Sequence, residues 1–373
     1  MKPTIQASLH TELEDFCTRF AASTSHQDTR EDIVTKAWES WANESLRHAY
    51  LAHPPGDSQM NVVVKQCFGD SAHVECFGSS STGLLLPLSD LDFVVYCTPA
   101  TYDDGFDDTF GEPKRESSLA CLRRLEKALA KSCLASPFEK FRIIDATVPV
   151  LKFEEKYTRI PIDISTNNMD GKTSSALIRE WTAEFPPLMP IALFLKHYLY
   201  CAGRNDTYSG GFGSFLLINL LVFLFKQQPA LVTGPHAYGT IFLAFLRFYG
   251  SLFNYKQWGI SARTGKAFEL AKDNRLWVRR RRVAFPPALL VEDPTNAEHD
   301  LSRGGLHAAL MAQKFREDLL RLQEILSQDP LPHAPILRTW LGTAGEDIEA
   351  EYCARRRSIL NFTRCSRSVH AFP

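Results

Sequence analysis

The sequence predicts an α+β fold in which a mixed β-sheet with helices is followed by a mostly helical domain. Strand-like runs dominate from residue 57 to 96, and the alternation of strands returns over residues 147–165. Beyond Asp170 the chain turns mostly helical in its pattern. This change of period predicts a boundary between two domains.

Four segments are expected from these pattern changes. Residues 1–56 form an N-terminal helical segment, with its helix at 28–52, that packs on the helical domain. Residues 57–168 form the sheet-containing domain and residues 169–325 the helical one. Residues 326–373 are an extension in which Pro330, Pro332 and Pro335 precede a further helix and a basic end. A chain of 373 residues is long enough for this arrangement.

Two local patterns lie between the predicted strands. The acidic stretch 102–108 is expected to be a surface loop. The following helix begins near Ser117, and its leucines recur at three- and four-residue intervals. The buried leucines of this helix are expected to be Leu119, Leu122, Leu125 and Leu129.

The composition is that of an ordinary folded protein, with 45% hydrophobic and 23% charged residues. A net charge of -1 means that binding of nucleic acid depends on local basic patches, for which Arg279–Arg282 and Arg355–Arg357 are candidates. A solvated charged face is the alternative for both runs. Nine cysteines without a Cys-x-x-Cys pair predict neither a zinc site nor a disulfide framework, and indicate thiols in a reducing compartment.

Neither a membrane span nor a secretion signal is predicted. The longest apolar stretch, Phe215 to Phe225, is too short to cross a bilayer. Residues 1–10 have no apolar signal-peptide core. We therefore expect an intracellular protein without membrane contact.

Two acids and a glycine-serine turn lie close together at residues 77–96. Asp90 and Asp92 point to the same side of an extended strand, where two like charges are costly unless a cation lies beside them. Upstream, Gly78 and Gly83 permit unusual backbone dihedrals and a close approach to phosphate oxygens, for which Ser79 and Ser80 offer donors. A divalent metal next to a phosphate site is the interpretation, and an exposed acidic strand end is the alternative.

A third acid completes this predicted metal site. Over residues 158–165 the alternation places Ile160, Ile162 and Ile164 on a buried face and Asp163 on the opposite face. The preceding run, residues 147–153, is a plausible partner strand, so a hairpin is expected. A solvated surface aspartate is the alternative for Asp163.

The order of these motifs resembles that of the polymerase-β-like nucleotidyltransferases, and within them the noncanonical poly(A) polymerases and terminal uridylyltransferases. The resemblance covers about residues 60 to 325 and implies a nucleotidyltransferase domain, a helical base-recognition domain and an active site in the cleft between them. The motifs that carry it are Gly78-Ser79, Ser89-Asp90-Leu91-Asp92, Val148-Pro-Val-Leu-Lys152, Ile162-Asp-Ile-Ser165, Ala192-Leu-Phe-Leu-Lys196 and Val291-Glu-Asp-Pro294.

The resemblance implies a two-metal reaction. Asp90, Asp92 and Asp163 would hold two Mg²⁺ ions, with Mn²⁺ as a possible substitute, and UMP would pass from UTP to the 3′-hydroxyl of single-stranded RNA. Ser89 belongs to the same nucleotide site. For RNA contacts the family-like residues are Lys152 and Arg303, and such contacts make activity salt-sensitive.

The helical domain supplies further nucleotide contacts by resemblance. Lys196 would contact the triphosphate, with a lysine at the edge of the helix as the alternative. Ser214 would cap its helix and bind a phosphate. Phe215, where the family has tyrosine, would stack on the base unless it is a core residue. Ser174 or Ser175 would bind the ribose, or else cap a helix.

The choice of base depends on the loop that starts with Glu292 and Asp293. His299 in this loop matches the pattern of enzymes that select UTP. Asn296, where the family usually has an acid, and a single phosphate lysine resemble the adenylating branch. UTP is the expected substrate, and a poly(A) polymerase using ATP is the alternative.

Two other classes are weaker alternatives. A catalytically dead scaffold of the same fold would not need all three acids, and a small-molecule nucleotidyltransferase would lack the Val-Pro-Val and Glu-Asp-Pro segments. The compact chain resembles the small trypanosomatid uridylyltransferases. That likeness implies a monomeric catalytic unit, protein partners in an RNA-processing complex and a mitochondrial location, with the cytoplasm as the alternative.

Overall fold

The computed structural model divides into two compact units, one of residues 24–175 and 351–373 and the other of residues 1–23 and 176–350. The predicted helix at 28–52, the acidic loop at 102–108 and both arginine runs lie outside the described residues, and the predicted segment limits stay predictions. The structure describes residues 59–86, 88–97, 115–131, 141–146, 148–154, 160–205, 211–233, 237–270, 289–304 and 308–327, with 337, 340–348, 350–352 and 354.

The unit that contains residues 24–175 is built on a five-stranded mixed sheet, so the predicted α+β class is confirmed. The strands are β1 His73–Phe77, β2 Leu91–Tyr96, β3 Arg142–Ile144, β4 Val150–Glu154 and β5 Pro161–Thr166. Their order across the sheet is β1-β2-β5-β4-β3. β2 and β5 run parallel, whereas the other neighbouring pairs are antiparallel. The hairpin predicted at 147–165 is confirmed as β4 and β5.

One face of this sheet forms a hydrophobic core with two helices, α1 (Gln59–Phe68) and α3 (Arg115–Lys131). The strand-like pattern predicted from residue 57 is wrong over α1, whose buried side chains recur at the three- and four-residue intervals of a helix. Its strand residues alternate along the chain, because successive side chains of a strand point to opposite faces. The core members on the two central strands are Leu91, Phe93, Val95, Ile162 and Ile164.

The apolar stripe of α3 differs at one position from the prediction. Leu122, Leu125 and Leu129 are buried as expected, but Leu119 is only half-buried. Ser118 and Cys121 are buried instead. The buried stripe therefore starts about one position earlier in α3 than the leucine spacing indicated.

The unit that contains residues 176–350 is mostly helical. The apolar helix α6 (Ser214–Gln227) is buried throughout from Leu216 to Phe225. Helix α5 (Leu188–Cys201) packs beside it, and α8 (Ala237–Arg247) packs on α5. A small sheet accompanies the helices, with its strands in the order β7 (Lys266–Glu269), β6 (Trp258–Ser261) and β8 (Val291–Glu292). Among the described helices, none has both the length and the hydrophobicity that a bilayer crossing requires. The elements from Asp170 on are α4 Asp170–Glu184, α5 Leu188–Cys201, α6 Ser214–Gln227, α7 Ala230–Thr233, α8 Ala237–Arg247, a π-helical turn Phe248–Leu252, β6 Trp258–Ser261, β7 Lys266–Glu269, β8 Val291–Glu292, a 3₁₀ turn Leu301–Gly304 and α9 Ala308–Ser327.

Residues 340–348 form a further helix, in the segment predicted as an extension. Its Trp340 stacks on Tyr198 with the ring centroids 5.1 Å apart, and it meets Phe242 edge-on at 5.3 Å. The indole N–H donates a 3.0 Å hydrogen bond to the main-chain oxygen of Asp318. This part of the extension therefore packs on α5, α8 and α9 of the helical unit.

Candidate active site

Three aspartates converge on the face of the sheet opposite the core. Asp90 immediately precedes β2, and Asp92 lies directly opposite Asp163 in the parallel β2/β5 pair. One carboxylate oxygen from each of the three residues lies within 4.8 Å of the others. The structure therefore brings together the three acids that strand alternation had placed on one face.

Gly78, between β1 and the next helical turn, lies against this acid cluster. Its backbone has φ 68° and ψ -143°, a combination that essentially only glycine adopts. A Cβ atom at this position would lie 2.3 Å from Asp92 Oδ2. The glycine therefore provides both an unusual chain direction and the space that the Asp92 carboxylate occupies.

A single helical turn, α2 (Ser79–Thr82), follows Gly78 and ends at Gly83, whose φ is 76°. Gly83 and Leu84 both donate their N–H groups to the carbonyl oxygen of Ser79. The hydroxyls of Ser81 and Thr82 each lie 3.1 Å from the Gly78 carbonyl oxygen. These contacts fix the turn.

The predicted phosphate donors in this region have different environments. Ser79 is half-buried at the start of α2, and the Ser80 backbone is helical, although its side chain lies outside the described part of the chain. The hydroxyl of Ser89 accepts a 3.0 Å hydrogen bond from the Leu86 N–H, and the Ser89 N–H donates to the Leu86 carbonyl at 2.9 Å. Ser89 thus shapes the turn that delivers Asp90, while its contact with a nucleotide stays a prediction.

The groups around Asp163 act on its pKa in opposite directions. Burial and the charge of Asp90 raise the pKa of Asp163, although Lys152 acts in the opposite direction. The Lys152 ammonium donates a hydrogen bond to Asp163 Oδ2. Burial alone would lower the pKa of Lys152, but this bond and the nearby acids raise it. Three converging oxygen ligands that already attract a cation fit a hard divalent ion such as Mg²⁺.

The first turns of α4 lie against the glycine turn and β1. The Ser175 hydroxyl donates a 2.7 Å hydrogen bond to the Gly171 carbonyl and lies 3.0 Å from Ser81 Oγ. A Cβ on Gly171 would lie 2.2 Å from the Phe77 ring. Sequence reasoning missed these contacts, because they join residues far apart in the chain and leave no local periodicity.

The predicted ribose residues lie inside α4, and not at its start. The helix begins at Asp170, so the alternative that Ser174 or Ser175 caps it is wrong. Ser175 is buried and its hydroxyl is engaged, whereas Ser174 is half-buried. Their contact with a ribose stays a prediction, and Ser174 is the more accessible of the two.

In the helical unit, Lys196, Ser214 and Phe215 lie on α5 and at the start of α6. Lys196 is half-buried in a helix whose other side chains are mostly buried. Ser214 was predicted to cap α6, but Gly213 is in the capping position and no side chain makes a capping hydrogen bond. Phe215 is half-buried, unlike the ten residues after it, which does not favour the alternative of a core phenylalanine.

The loop after β8 is closed by its own hydrogen bonds. The Asp293 N–H donates to the His299 carbonyl at 3.0 Å. Asp293 Oδ1 accepts from the Thr295 N–H and hydroxyl, at 2.8 and 2.6 Å. The other oxygen, Oδ2, lies 3.9 Å from Nδ1 of His299, whose side chain is 55% exposed. Asp293 therefore orders the loop, and the imidazole projects from it.

Arg303 was predicted to contact RNA. Its backbone belongs to the 3₁₀ turn, but its side chain is not among the described ones, so that contact stays a prediction.

Two family models match the chain. A model described as "Poly(A) RNA polymerase, mitochondrial-like, central palm domain" matches residues 57–183, which contain the three acids. A second, described as "Cid1 family poly A polymerase", matches residues 237–299, up to the exposed histidine.

The chain is also similar in sequence to a known protein. The chain is 30% identical over 250 residues to the poly(A) RNA polymerase cid14 of Schizosaccharomyces pombe, a match that covers 66% of this chain and 34% of that protein. The chain thus spans about a third of the length of that relative.

Two solved structures show the fold. The polymerase core of TRAMP, an RNA surveillance complex, matches with a TM-score of 0.66 and 24% identity, over 91% of this chain and 94% of that chain. The Cid1 poly(U) polymerase with Mg 3′-dATP matches with a TM-score of 0.60 and 19% identity, over 88% and 98% of the two chains. Both sequence and fold agree with the motif order, and the chain therefore belongs to the noncanonical poly(A) polymerases and terminal uridylyltransferases, within the polymerase-β-like nucleotidyltransferases.

Proposed function

We propose that the chain is a template-independent RNA uridylyltransferase, which transfers UMP from UTP to the 3′-hydroxyl of single-stranded RNA and releases pyrophosphate. The observation that carries the proposal is the convergence of Asp90, Asp92 and Asp163 beside the Gly78 turn. Acids so arranged bind divalent ions, and a glycine turn beside them accommodates phosphates.

Each part of the site has a role in this reaction. Asp90, Asp92 and Asp163 would hold the two ions, and the Gly78 turn with Ser79 and Ser80 would receive the triphosphate. When bound, Mg²⁺ lowers the pKa of the attacking hydroxyl and stabilises the departing pyrophosphate. The protein residues fix the acids in advance, which reduces the reorganisation that the reaction requires.

The preference for UTP is supported by His299. Its imidazole is largely exposed on a loop that Asp293 orders, so it is available to a ligand. A histidine there occupies room that a purine needs and can donate to a pyrimidine carbonyl. Phe215, half-buried at the start of α6, is available to stack on a base.

A poly(A) polymerase that uses ATP is the second candidate. It is favoured by the relative cid14, which is described as a poly(A) RNA polymerase. Asn296, in the position where the family usually has an acid, supports the same alternative.

The first experiment incubates the purified chain with a labelled single-stranded RNA, Mg²⁺ and each ribonucleoside triphosphate in turn. Extension with UTP alone is expected, and extension with ATP alone would assign the second candidate. Asp90→Ala should abolish extension, whereas Asp70→Ala, which removes an exposed acid of the same unit, should not. His299→Asn should shift the preference towards ATP, and Glu298→Gln in the same loop serves as its control.

Asp163→Ala tests the role of the third acid. The variant should retain UTP binding and lose extension, because Asp163 serves the attacking hydroxyl more than the triphosphate. Binding of labelled UTP and extension are measured on the same preparation. Near-normal extension would contradict the assignment of the three acids.

We also propose that partner proteins select the RNA. The structure of the TRAMP polymerase core is that of a part of a surveillance complex. An analogous partner is expected here, and co-purification of a tagged chain from its own cells tests this.

A further inference from the structure

Lys152 and Asp163 face each other across neighbouring strands. The antiparallel register of β4 and β5 places Lys152 opposite Asp163, and the parallel register of β2 and β5 places Asp92 opposite Asp163 on its other side. Residues directly opposite each other in a sheet project to the same face. Asp163 therefore lies between a cation on one neighbouring strand and an acid on the other.

The Lys152 ammonium is bonded to a carboxylate oxygen of Asp163. The Asp163 side chain is 15% exposed and that of Lys152 is 46% exposed. With three carboxylates so close together, the positive charge of Lys152 offsets part of their mutual repulsion. Without a counter-charge, a largely buried carboxylate in this cluster would be costly to keep ionised.

A divalent ion at this site would supply the same counter-charge. The oxygen that Lys152 contacts belongs to the acid cluster that would ligate the ion, so both cations act on one carboxylate. We propose that Lys152 is a positioning residue of the metal site, which holds the Asp163 carboxylate when no divalent ion is bound and competes with the ion for it. This inference rests on the proposed metal-dependent function and differs from the primer contact that family resemblance implies for Lys152.

The test measures metal binding without nucleotide or RNA. Lys152→Met removes the charge and keeps a side chain of similar length. Titration with Mn²⁺, followed by electron paramagnetic resonance of the free ion, should show several-fold tighter binding in Lys152→Met than in the wild type. In EDTA the variant should melt a few degrees lower, because Asp163 has lost its partner. Saturating Mn²⁺ should remove this difference.

Two variants separate the ion pair from other effects. Lys152→Arg keeps the charge and should restore wild-type Mn²⁺ binding and melting. Lys172→Met removes a lysine whose side chain is 56% exposed and which is paired with Glu75 at 3.0 Å in the same unit, and it should change Mn²⁺ binding far less. If the loss of any one positive charge were enough to tighten Mn²⁺ binding, Lys152→Met and Lys172→Met would bind Mn²⁺ equally tightly.

Equal or weaker Mn²⁺ binding in Lys152→Met, with unchanged melting in EDTA, would overturn the proposal. A rise in KM for RNA as the only defect would then support the primer contact. Because neither nucleotide nor RNA is present in the titration, a chain without transferase activity can still give the expected result. Failure of the proposed function and failure of this inference are therefore distinguishable.

Discussion

Gly78 is needed both for the conformation of its own backbone and for the space that the neighbouring Asp92 carboxylate occupies. The positive φ alone favours glycine, but the space that a Cβ would take from Asp92 is a separate constraint. Gly69 offers a comparison within the same unit. Its φ is 91°, yet a Cβ there would meet nothing within 4 Å.

Gly78→Ala should therefore lose more than stability. Both Gly69→Ala and Gly78→Ala should cost about 1–3 kcal/mol in the free energy of unfolding, through backbone strain. Only Gly78→Ala should also weaken Mn²⁺ binding and abolish extension, because the methyl group displaces the Asp92 carboxylate. Urea unfolding and Mn²⁺ titration of the two variants check this, and equal Mn²⁺ affinity would count against the steric argument.

Individual residues were predictable where one local pattern decides their placement. Asp163 was placed with Asp90 and Asp92 because strand alternation fixes the face of each side chain. Ser214 was wrongly predicted to cap its helix. The residue at which a helix begins depends on how the preceding segment, here rich in glycine, packs in the folded protein. The bond between Lys152 and Asp163 was not foreseen, since it needs the register of β4 and β5.

Among the elements, the helix at residues 340–348 is the one whose role the sequence left open. Its Trp340 contacts Tyr198 and Phe242 and bonds to the backbone of Asp318. The Asp318 carboxylate in turn accepts from Tyr198 and, at 2.8 Å, from Lys314. The tryptophan is thus one part of a buried network that joins three helices to this segment.

Trp340→Ala should lower the free energy of unfolding by about 3–5 kcal/mol, because it leaves a large cavity. Trp340→Phe keeps most of the packing and should lose about 1–3 kcal/mol, since the hydrogen bond from the indole N–H to the Asp318 carbonyl is lost and the smaller ring leaves part of the space unfilled. Leu320→Ala, at a residue of α9 that is 60% exposed, should stay within about 0.5 kcal/mol of the wild type. Similar losses in the alanine variants of Trp340 and Leu320 would contradict the docking of this helix.

Helices and strands could be predicted where residues close together in the sequence determine them. The β4/β5 hairpin could be foreseen because two alternating runs follow each other directly. The close packing of Gly171 on Phe77 could not, because it depends on which strand lies under α4. Ser118 is buried where Leu119 was expected to be, because the rotation of a helix about its own axis depends on the surface on which it packs.

For the whole molecule, a buried histidine sets part of the dependence of stability on pH. His197 on α5 is fully buried, and burial lowers its pKa from 6.5 to about 4. Between these two values the unfolded chain binds a proton that the folded chain does not. Stability therefore falls as the pH is lowered through this window, by roughly 3 kcal/mol in total for one such group.

His197→Gln should flatten this dependence. The difference in the free energy of unfolding between pH 7 and pH 4.5 should be smaller in the variant than in the wild type, whatever the variant's stability at pH 7. Urea unfolding at both pH values measures it. An unchanged difference in His197→Gln would refute the assignment.

The pairing of β2 with β5 at the centre of the sheet also affects how the protein folds during its synthesis. The two strands are separated in sequence by α3, β3 and β4, yet they are direct neighbours in the sheet. Closing so long a loop is slow compared with forming helices or hairpins. A ribosome-bound chain that has released β2 but not β5 carries two of the three acids without the third. The nascent protein therefore lacks the complete cluster of three acids until β5 has emerged and paired with β2.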